Sequence, residues 1–385
     1  MKRIYADYNA TTPLAPEALE AMLPYLREHY GNASSVHVFG REARAAIDDA
    51  RVRMAKLVGA QESEIVFTGG GTEADNAAIF GVARASRKRD RHVVTSSIEH
   101  HAVLHACQYL EKSGECEVTY LPVSRDCLVD PDDLRKAIRS NTVLVSVMSA
   151  NNETGTIQPV QELAAICRER GVPFHTDAVQ SFGKVLVNVS DWGVGLLSIA
   201  AHKFYGPKGV GMLYLRRGTK CDPLLFGGSH ENERRAGTEN VAAIVGMAKA
   251  AELATGKMAD EQTKFFDWTE KLAGEVTKRI RGAHRNGHPK LRIGNTVNFS
   301  FEGCEEEGLL LGLDLEGVAV SSGSACAVGS LEPSHVLKAM GLPHELARAA
   351  VRFSFGREST AEDVTDSLAA LARVIERLRQ FAVKP

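Results

Sequence analysis

The chain has 385 residues, of which 44% are hydrophobic and 24% are charged. At a typical size of about 150 residues per domain, this length predicts two or three domains. The composition argues against a disordered or fibrous chain. The 46 basic and 48 acidic residues nearly cancel, which argues against nucleic acid or an anionic membrane as a partner. No apolar run approaches the ~18 residues of a membrane span, and no apolar segment of a signal peptide follows Lys2 and Arg3. We therefore expect a cytoplasmic protein.

The first two thirds of the chain alternate short apolar runs with amphipathic segments. The predicted strands are 65–67, 93–94, 118–123, 143–148, 173–176 and 210–215. The predicted helices are 74–87, 101–112, 131–138 and 160–170. This alternation favours a mostly parallel sheet with helices on both faces.

Near residue 256 the pattern changes. A long helix with apolar residues over 265–280 precedes predicted strands at 297–301, 318–321 and 351–355, and a final helix covers about 361–381. This order of elements is typical of a smaller α+β unit.

A glycine-rich turn, residues 68–72, joins the first predicted strand to the next helix. Glycines allow close approach of a ligand, and the N–H groups at a helix start attract phosphate. Thr72 and Asp75 fit a capping box at that start. The turn is neither GxxxxGK[ST] nor GxGxxG, which argues against nucleotide triphosphates and dinucleotides. A phosphate site and a plain tight turn both remain open here.

Asp177 and Lys203 are candidate functional residues. Asp177 follows the strand 173–176, at the carboxyl end where open α/β sheets bind ligands, although a capping role is also common there. Lys203 lies in the short turn 200–207, where desolvation would make its amine nucleophilic; an exposed lysine is the alternative. Together with the glycine turn they suggest pyridoxal 5'-phosphate (PLP), which needs a lysine, an anion at its ring nitrogen and a phosphate cradle.

Cys326 is the candidate reactive thiol among seven cysteines, none of which forms a CxxC pair. The sequence therefore predicts neither a zinc site nor a redox dithiol. Cys326 lies in a stretch of small and polar residues over 321–333, which favours a reactive role over an idle surface thiol. We expect the other six cysteines to be structural.

Blocks along nearly the whole chain resemble the NifS/IscS type of cysteine desulfurase, in the class V branch of the fold-type-I PLP enzymes. The matching blocks are 5–12, 31–37, 71–73, 99–100, 151–155, 177–180, 202–203, 235–240, 322–335 and 351–357. The resemblance implies an aspartate-aminotransferase-like α/β fold. Residues 13–256 would form the large PLP-binding domain, with 1–12 and 257–385 forming the small domain that carries the cysteine loop at about 321–333.

The resemblance also implies roles for individual residues. Lys203 would hold PLP and move the substrate α-proton, His100 would stack on the ring, and Cys326 would take the sulfur. Asp177 would pair with the pyridine nitrogen, and Gln180 with the ring hydroxyl. The other implied cofactor-binding residues are Gly71, Thr72, Asn152, Ala200, Ala201 and His202, with Thr238 of the partner subunit.

The substrate carboxylate would bind Asn152 and Arg352, with Asn32 in the same pocket; without the resemblance, Arg352 would be interpreted as an exposed strand residue. Ala200 and Ala201 stand where many relatives have a serine. One hydroxyl contact to phosphate is therefore expected to be replaced by a backbone N–H or by water.

The implied activity is PLP-dependent removal of sulfur from L-cysteine, which gives L-alanine and a persulfide on Cys326 for iron–sulfur cluster assembly. The implied partners are a second copy of the chain and a NifU/IscU-like scaffold or another sulfur acceptor. Cys326 is also the candidate for a transient iron–sulfur ligand, and no other metal ligand is expected. A selenocysteine lyase, another class V PLP enzyme and a catalytically silent scaffold partner remain as alternatives.

Overall fold

The computed structural model describes residues 2–322 and 333–381, so Cys326 lies outside the described residues. The strands are β1 (Ile4–Tyr5), β2 (Ile65–Thr68), β3 (His92–Ser96), β4 (Glu117–Leu121), β5 (Thr142–Ser146), β6 (Phe174–Asp177), β7 (Leu196–Ala200), β8 (Gly211–Leu215), β9 (Ala283–Asn286), β10 (Thr296–Phe301), β11 (Val318–Ala319) and β12 (Ala350–Ser354).

The α-helices are α1 (Pro16–Arg27), α2 (Val38–Val58), α3 (Gly71–Ala85), α4 (His101–Lys112), α5 (Pro131–Ala137), α6 (Val160–Glu169), α7 (Val189–Trp192), α8 (Val241–Arg279), α9 (Glu306–Leu315), α10 (His335–Ala339), α11 (His344–Ala347) and α12 (Ala361–Phe381). Short 3-10 segments cover Glu62–Glu64, Ala201–Lys203 and His230–Glu233.

Seven strands form the large sheet, in the order β2-β8-β7-β6-β5-β3-β4. Neighbours from β7 to β4 pair in parallel, and β8 is antiparallel to both β2 and β7. Most of these strands are buried apolar runs, as expected for a sheet covered on both sides. The predicted mostly parallel α/β sheet is confirmed.

Helices cover both faces of this sheet. One apolar cluster joins one face to side chains of α2, α6 and α8, such as Ile47, Leu163 and Met247. A second joins the opposite face to α3 and α4 through Ile79 and Val103. The carboxyl ends of the parallel strands are therefore left to form a site between the helices.

The smaller unit contains the antiparallel sheet β12-β10-β9 and the parallel pair β1-β11. Its apolar cluster includes side chains from α9, α12 and the second half of α8. Helix α8 continues through the predicted boundary at residue 256, and the division into two domains stays a prediction. Among residues 2–322 and 333–381, no helix has the length and apolarity that crossing a membrane requires.

Candidate active site

A cavity of about 310 Å³ lies at the carboxyl ends of the central strands. It collects residues that are far apart in the sequence, from the N-terminal segment to β12. Ten of the predicted site residues line it: Gly71, Thr72, His100, Asn152, Asp177, Gln180, Ala200, His202, Lys203 and Arg352.

Three of the predicted residues that the structure describes do not line this cavity. Ala201 is fully buried beside Ala200, and Asn32 is exposed, where its Oδ1 accepts a hydrogen bond from the Ser34 N–H. Thr238 is exposed on the loop before α8. Cys326 lies outside the described residues.

Asp177 is the last residue of β6 and is only 5% exposed. Its Oδ1 accepts a hydrogen bond of 2.8 Å from the Val179 N–H. Burial raises the pKa of this carboxyl to about 6, while that hydrogen bond and the Lys203 amine act in the opposite direction. Asp177 therefore presents a buried carboxyl group to the cavity, held by a backbone N–H.

Lys203 follows β7 in a 3-10 turn. Its Nζ donates hydrogen bonds of 2.7 Å to the carbonyl oxygens of Asn9 and Ala10. These contacts hold the amine at the cavity wall, close enough to Asp177 to affect its pKa. The sequence predicted that Lys203 lies in a short turn. It did not predict the hydrogen bonds to the two carbonyl oxygens, because these belong to residues near the start of the chain.

His100 is the N-cap of α4, and its Nδ1 accepts a hydrogen bond of 3.1 Å from the Ala102 N–H. Burial, with repulsion from Lys203, lowers the pKa of the imidazole to about 4. The ring is therefore neutral at pH 7, with its proton on Nε2, because Nδ1 acts as the acceptor. His100 combines the capping role with a place in the cavity.

Helix α3 starts at Gly71, and its first N–H groups have no acceptor within the helix. A Cβ at Gly71 would lie 2.9 Å from Val179 Cγ2 and 3.2 Å from Ala200 Cβ. Glycine is thus required where the backbone passes close to the cavity wall. The predicted capping box of Thr72 and Asp75 is wrong, because the helix begins before Thr72, with Gly70 as its N-cap.

Arg352 lies on β12 and is 1% exposed, so its interpretation as an exposed strand residue is wrong. Its Nη1 donates a hydrogen bond of 2.8 Å to the carbonyl oxygen of Asn152, and its Nη2 forms an ion pair of 2.7 Å with Asp7. Within the described residues, Nε has no partner. The guanidinium is therefore anchored through its two terminal nitrogens, while its buried Nε–H has no partner among the described residues.

Several residues that line the cavity were not predicted. They are Asn9, Ala10, Asp75, His101, Met148, Glu153, Val179 and His335. Asn9 belongs to the block 5–12 that matches the family, so that block was the available signal. Glu153 accepts a hydrogen bond of 2.5 Å from the Ser334 hydroxyl, and burial raises its pKa to about 7. No local pattern indicates that contact, because 181 residues separate the two partners.

Comparison with known proteins identifies the family to which the chain belongs. The family described as Aminotransferase class-V matches residues 4–366. The cysteine desulfurase IscS of Dictyoglomus turgidum is 56% identical over 383 residues, covering 99% of this chain and 97% of that protein. The IscS of Methanosarcina thermophila is 50% identical, covering 99% and 94%.

Among solved structures, a NifS-like protein superposes with a TM-score of 0.91 at 36% identity, over 97% of this chain and 100% of that one. The predicted resemblance is confirmed by both kinds of comparison. The chain therefore belongs to the aminotransferase class-V family of PLP-dependent enzymes, and within it to the cysteine desulfurases of the NifS/IscS type.

Proposed function

We propose that the protein is a PLP-dependent cysteine desulfurase that converts L-cysteine to L-alanine and leaves the sulfur as a persulfide on Cys326. The observation that carries this proposal is the single cavity that joins Lys203, Asp177 and Arg352. In the transfer, the substrate C–S bond breaks and an S–S bond forms on the Cys326 thiolate. The substrate carbon receives a proton, so the step needs no external oxidant.

The residues present fit PLP. Lys203 supplies an amine, and Asp177 supplies a buried carboxyl at the end of β6 that would pair as an anion with the protonated ring nitrogen. The start of α3, with Gly71 against the cavity wall, suits the phosphate. The unpartnered Nε of Arg352 suits the carboxylate of an amino acid.

Bound PLP would supply an electron sink for the negative charge that develops when the substrate loses its α-proton. The chain's own residues would hold and move protons around it. Asp177 would keep the ring nitrogen protonated. Lys203, positioned by two backbone carbonyls, would carry the α-proton, and the neutral His100 would present Nε2–H to the reacting side of the cavity.

The position of the cavity supports Cys326 as sulfur acceptor. Ser321 is hydrogen-bonded through its backbone to Arg352, before residues 323–332. After them, Ser334 contacts Glu153 in the cavity wall, and His335 lines the cavity itself. Both described flanks of the cysteine segment therefore reach the proposed substrate site. Cys326 is also the proposed transient ligand of iron–sulfur species.

We also propose a homodimer in which Thr238 of the partner subunit completes the phosphate site. Large apolar side chains are exposed on one subunit: Tyr30 is 75%, Val36 is 89% and Phe226 is 83% exposed. A second, more open cavity beyond the glycine turn is lined by Gly70, Thr72, His202 and Lys208, among others. A second copy of the chain would cover these apolar side chains and close the open cavity beyond the glycine turn.

The sulfur would pass to a NifU/IscU-like scaffold or to another acceptor protein for iron–sulfur cluster assembly. The name IscS that several relatives carry supports this partner class. The predicted cytoplasmic location stays a prediction.

The test is turnover by the purified protein with added PLP and dithiothreitol. We expect equal amounts of alanine and sulfide from L-cysteine, and no product from the Lys203→Ala variant. Absence of alanine would refute the proposal and favour the silent scaffold partner. Turnover of selenocysteine alone would favour the selenocysteine lyase.

A further inference from the structure

The amide of Gln180 has a fixed orientation in the cavity wall. Its Nε2 donates a hydrogen bond of 2.9 Å to the carbonyl oxygen of Asn9, which can only accept. Its Oε1 accepts a hydrogen bond of 2.9 Å from Lys184 Nζ. The contact with Asn9 excludes the flipped amide, because a flip would place two acceptors together there, and Oε1 is thereby left to accept the N–H of Lys184.

Lys184 is placed to act only as a donor. Its Nζ also donates to Asn9 Oδ1 at 3.2 Å, and the Asn9 side chain is fixed in turn because its Nδ2 donates to the carbonyl oxygen of Asn152 at 3.1 Å, which can only accept. Burial, with repulsion from Lys203 and Arg352, lowers the pKa of the Lys184 amine well below its usual range. Gln180 Oε1 and Asn9 Oδ1 are both acceptors, so each receives an N–H of Lys184.

The hydrogen bond from Lys184 decides which atom Gln180 offers to a ligand. A primary amide has two N–H donors, and within the described residues Nε2 uses one of them, toward Asn9. The second N–H remains for a ligand in the cavity, which Gln180 lines. Lys184 does not line this cavity, so it acts on the ligand through the amide.

We propose that Lys184 is a positioning residue that holds the Gln180 amide with its N–H toward the PLP ring hydroxyl and so stabilises that oxygen as an anion. The proposal rests on the proposed function, because it assumes that PLP binds with this hydroxyl at Gln180. It goes beyond that function by assigning a role to a residue that would contact neither PLP nor the substrate.

The experiment is a pH titration of the visible absorption band of the PLP-loaded protein. In the Lys184→Met variant the amide is free to turn its Oε1 toward the ring oxygen, which disfavours the anion. The anionic oxygen then holds the neighbouring proton more tightly, so the transition of the band should move upward by about one pH unit, a tenfold change in proton affinity. Other titratable groups also line the cavity, but they are the same in both proteins: Asp75, His100, His101, Glu153, Asp177, His202, Lys203, His335 and Arg352.

Removal of a cation near the ring would also move the transition upward, so a second pair of variants separates the two causes. If Lys184 acts through the amide, Lys184→Met should add no shift in a Gln180→Ala background, because the amide is already absent. A shift that persists in this background would overturn the proposal, as would the absence of a shift in Lys184→Met alone.

Gln180→Glu gives an independent arm in case Lys184→Met fails to fold. It keeps the shape of the side chain and replaces the N–H donor by an acceptor oxygen, so an upward shift of at least similar size is expected. An unchanged transition would overturn the proposal. Lys257→Met, at an exposed position of α8, is the matched control and should leave the band unchanged. If the wild type shows no lysine-dependent band, the proposed function itself fails, and this is distinguishable from a band that is insensitive to residues 180 and 184.

Discussion

The substitution Arg352→Lys tests the substrate site most directly, because it keeps the positive charge and changes the geometry. Arg352 donates hydrogen bonds to the Asn152 carbonyl and to the Asp7 carboxylate. Its Nε, which has no partner among the described residues, would donate to the proposed substrate carboxylate. A lysine has one nitrogen and cannot occupy all three directions. Loss of one hydrogen bond between charged groups costs about 1.5–3 kcal/mol. We therefore expect the dissociation constant for L-cysteine to rise roughly 10- to 150-fold.

The assay compares L-cysteine with cysteamine, which lacks the carboxylate. Binding of each is measured from the change in the visible spectrum of the PLP-loaded protein, so that turnover is not needed. Arg352→Lys should weaken L-cysteine and leave cysteamine within about twofold of the wild type. Asp7→Asn, which keeps an acceptor oxygen for Nη2, serves as a milder control. An equal loss for both ligands, or no loss for L-cysteine, would refute the assignment of Arg352 to the carboxylate.

Three further predictions use other parts of the site. Lys203→Ala should lose the lysine-dependent absorption and several orders of magnitude in turnover. When it is mixed with Thr238→Ala, each mixed dimer would contain one site with both residues intact, so activity should be restored. No restoration would contradict the shared site. Cys326→Ser should keep PLP and its colour but form no persulfide, and mass spectrometry of the wild type should find the added sulfur at Cys326 and at no other cysteine. His100 has a pKa lowered to about 4 in the folded protein, against about 6.5 unfolded, so its contribution to stability is present above pH 6.5 and is lost as the pH falls toward 4. Denaturant unfolding of His100→Asn should therefore show a weaker loss of stability between pH 7 and 4.5 than the wild type.

The alternation of apolar runs and amphipathic helices sufficed to predict the large sheet, since buried parallel strands and their covering helices have distinct periodicities. It did not reveal that β8 is antiparallel. Only ten residues, 201–210, separate β7 from β8. A parallel connection needs about a dozen residues or more, so this length was a signal that the sequence contained.

The local sequence identified the site residues that follow strands or turns, and missed those that depend on distant contacts. Asp177 ends β6 and Lys203 follows β7, where strand ends indicate a ligand site. Arg352 could not be placed by its own surroundings, because β12 belongs to the smaller sheet and its partner Asp7 is 345 residues away. The resemblance to the family predicted Arg352 as a site residue. The fold explains why it is buried, since it brings Arg352 into contact with Asp7.

Helix α8 shows a different limit. Its 39 residues include Gly246 and Gly256, which have low helix propensity and favour a break. Packing overrides that preference: Met247 belongs to the cluster on the large sheet, and Leu272 to the cluster of the smaller unit. A continuous helix follows from burial at both of its ends, which a local propensity does not record.

The buried charges argue for the site without reference to any relative. Asp177, Glu153 and Arg352 are removed from water around one cavity, although apolar side chains of similar size would cost less to bury. Arg352 Nε remains without a partner among the described residues, and an unmet buried donor costs about 1–3 kcal/mol. A ligand that brings an anionic group to that N–H removes this cost on binding, whereas an apolar ligand would leave it in place. The cavity therefore selects for a charged ligand, and an amino acid held beside Lys203 meets this condition.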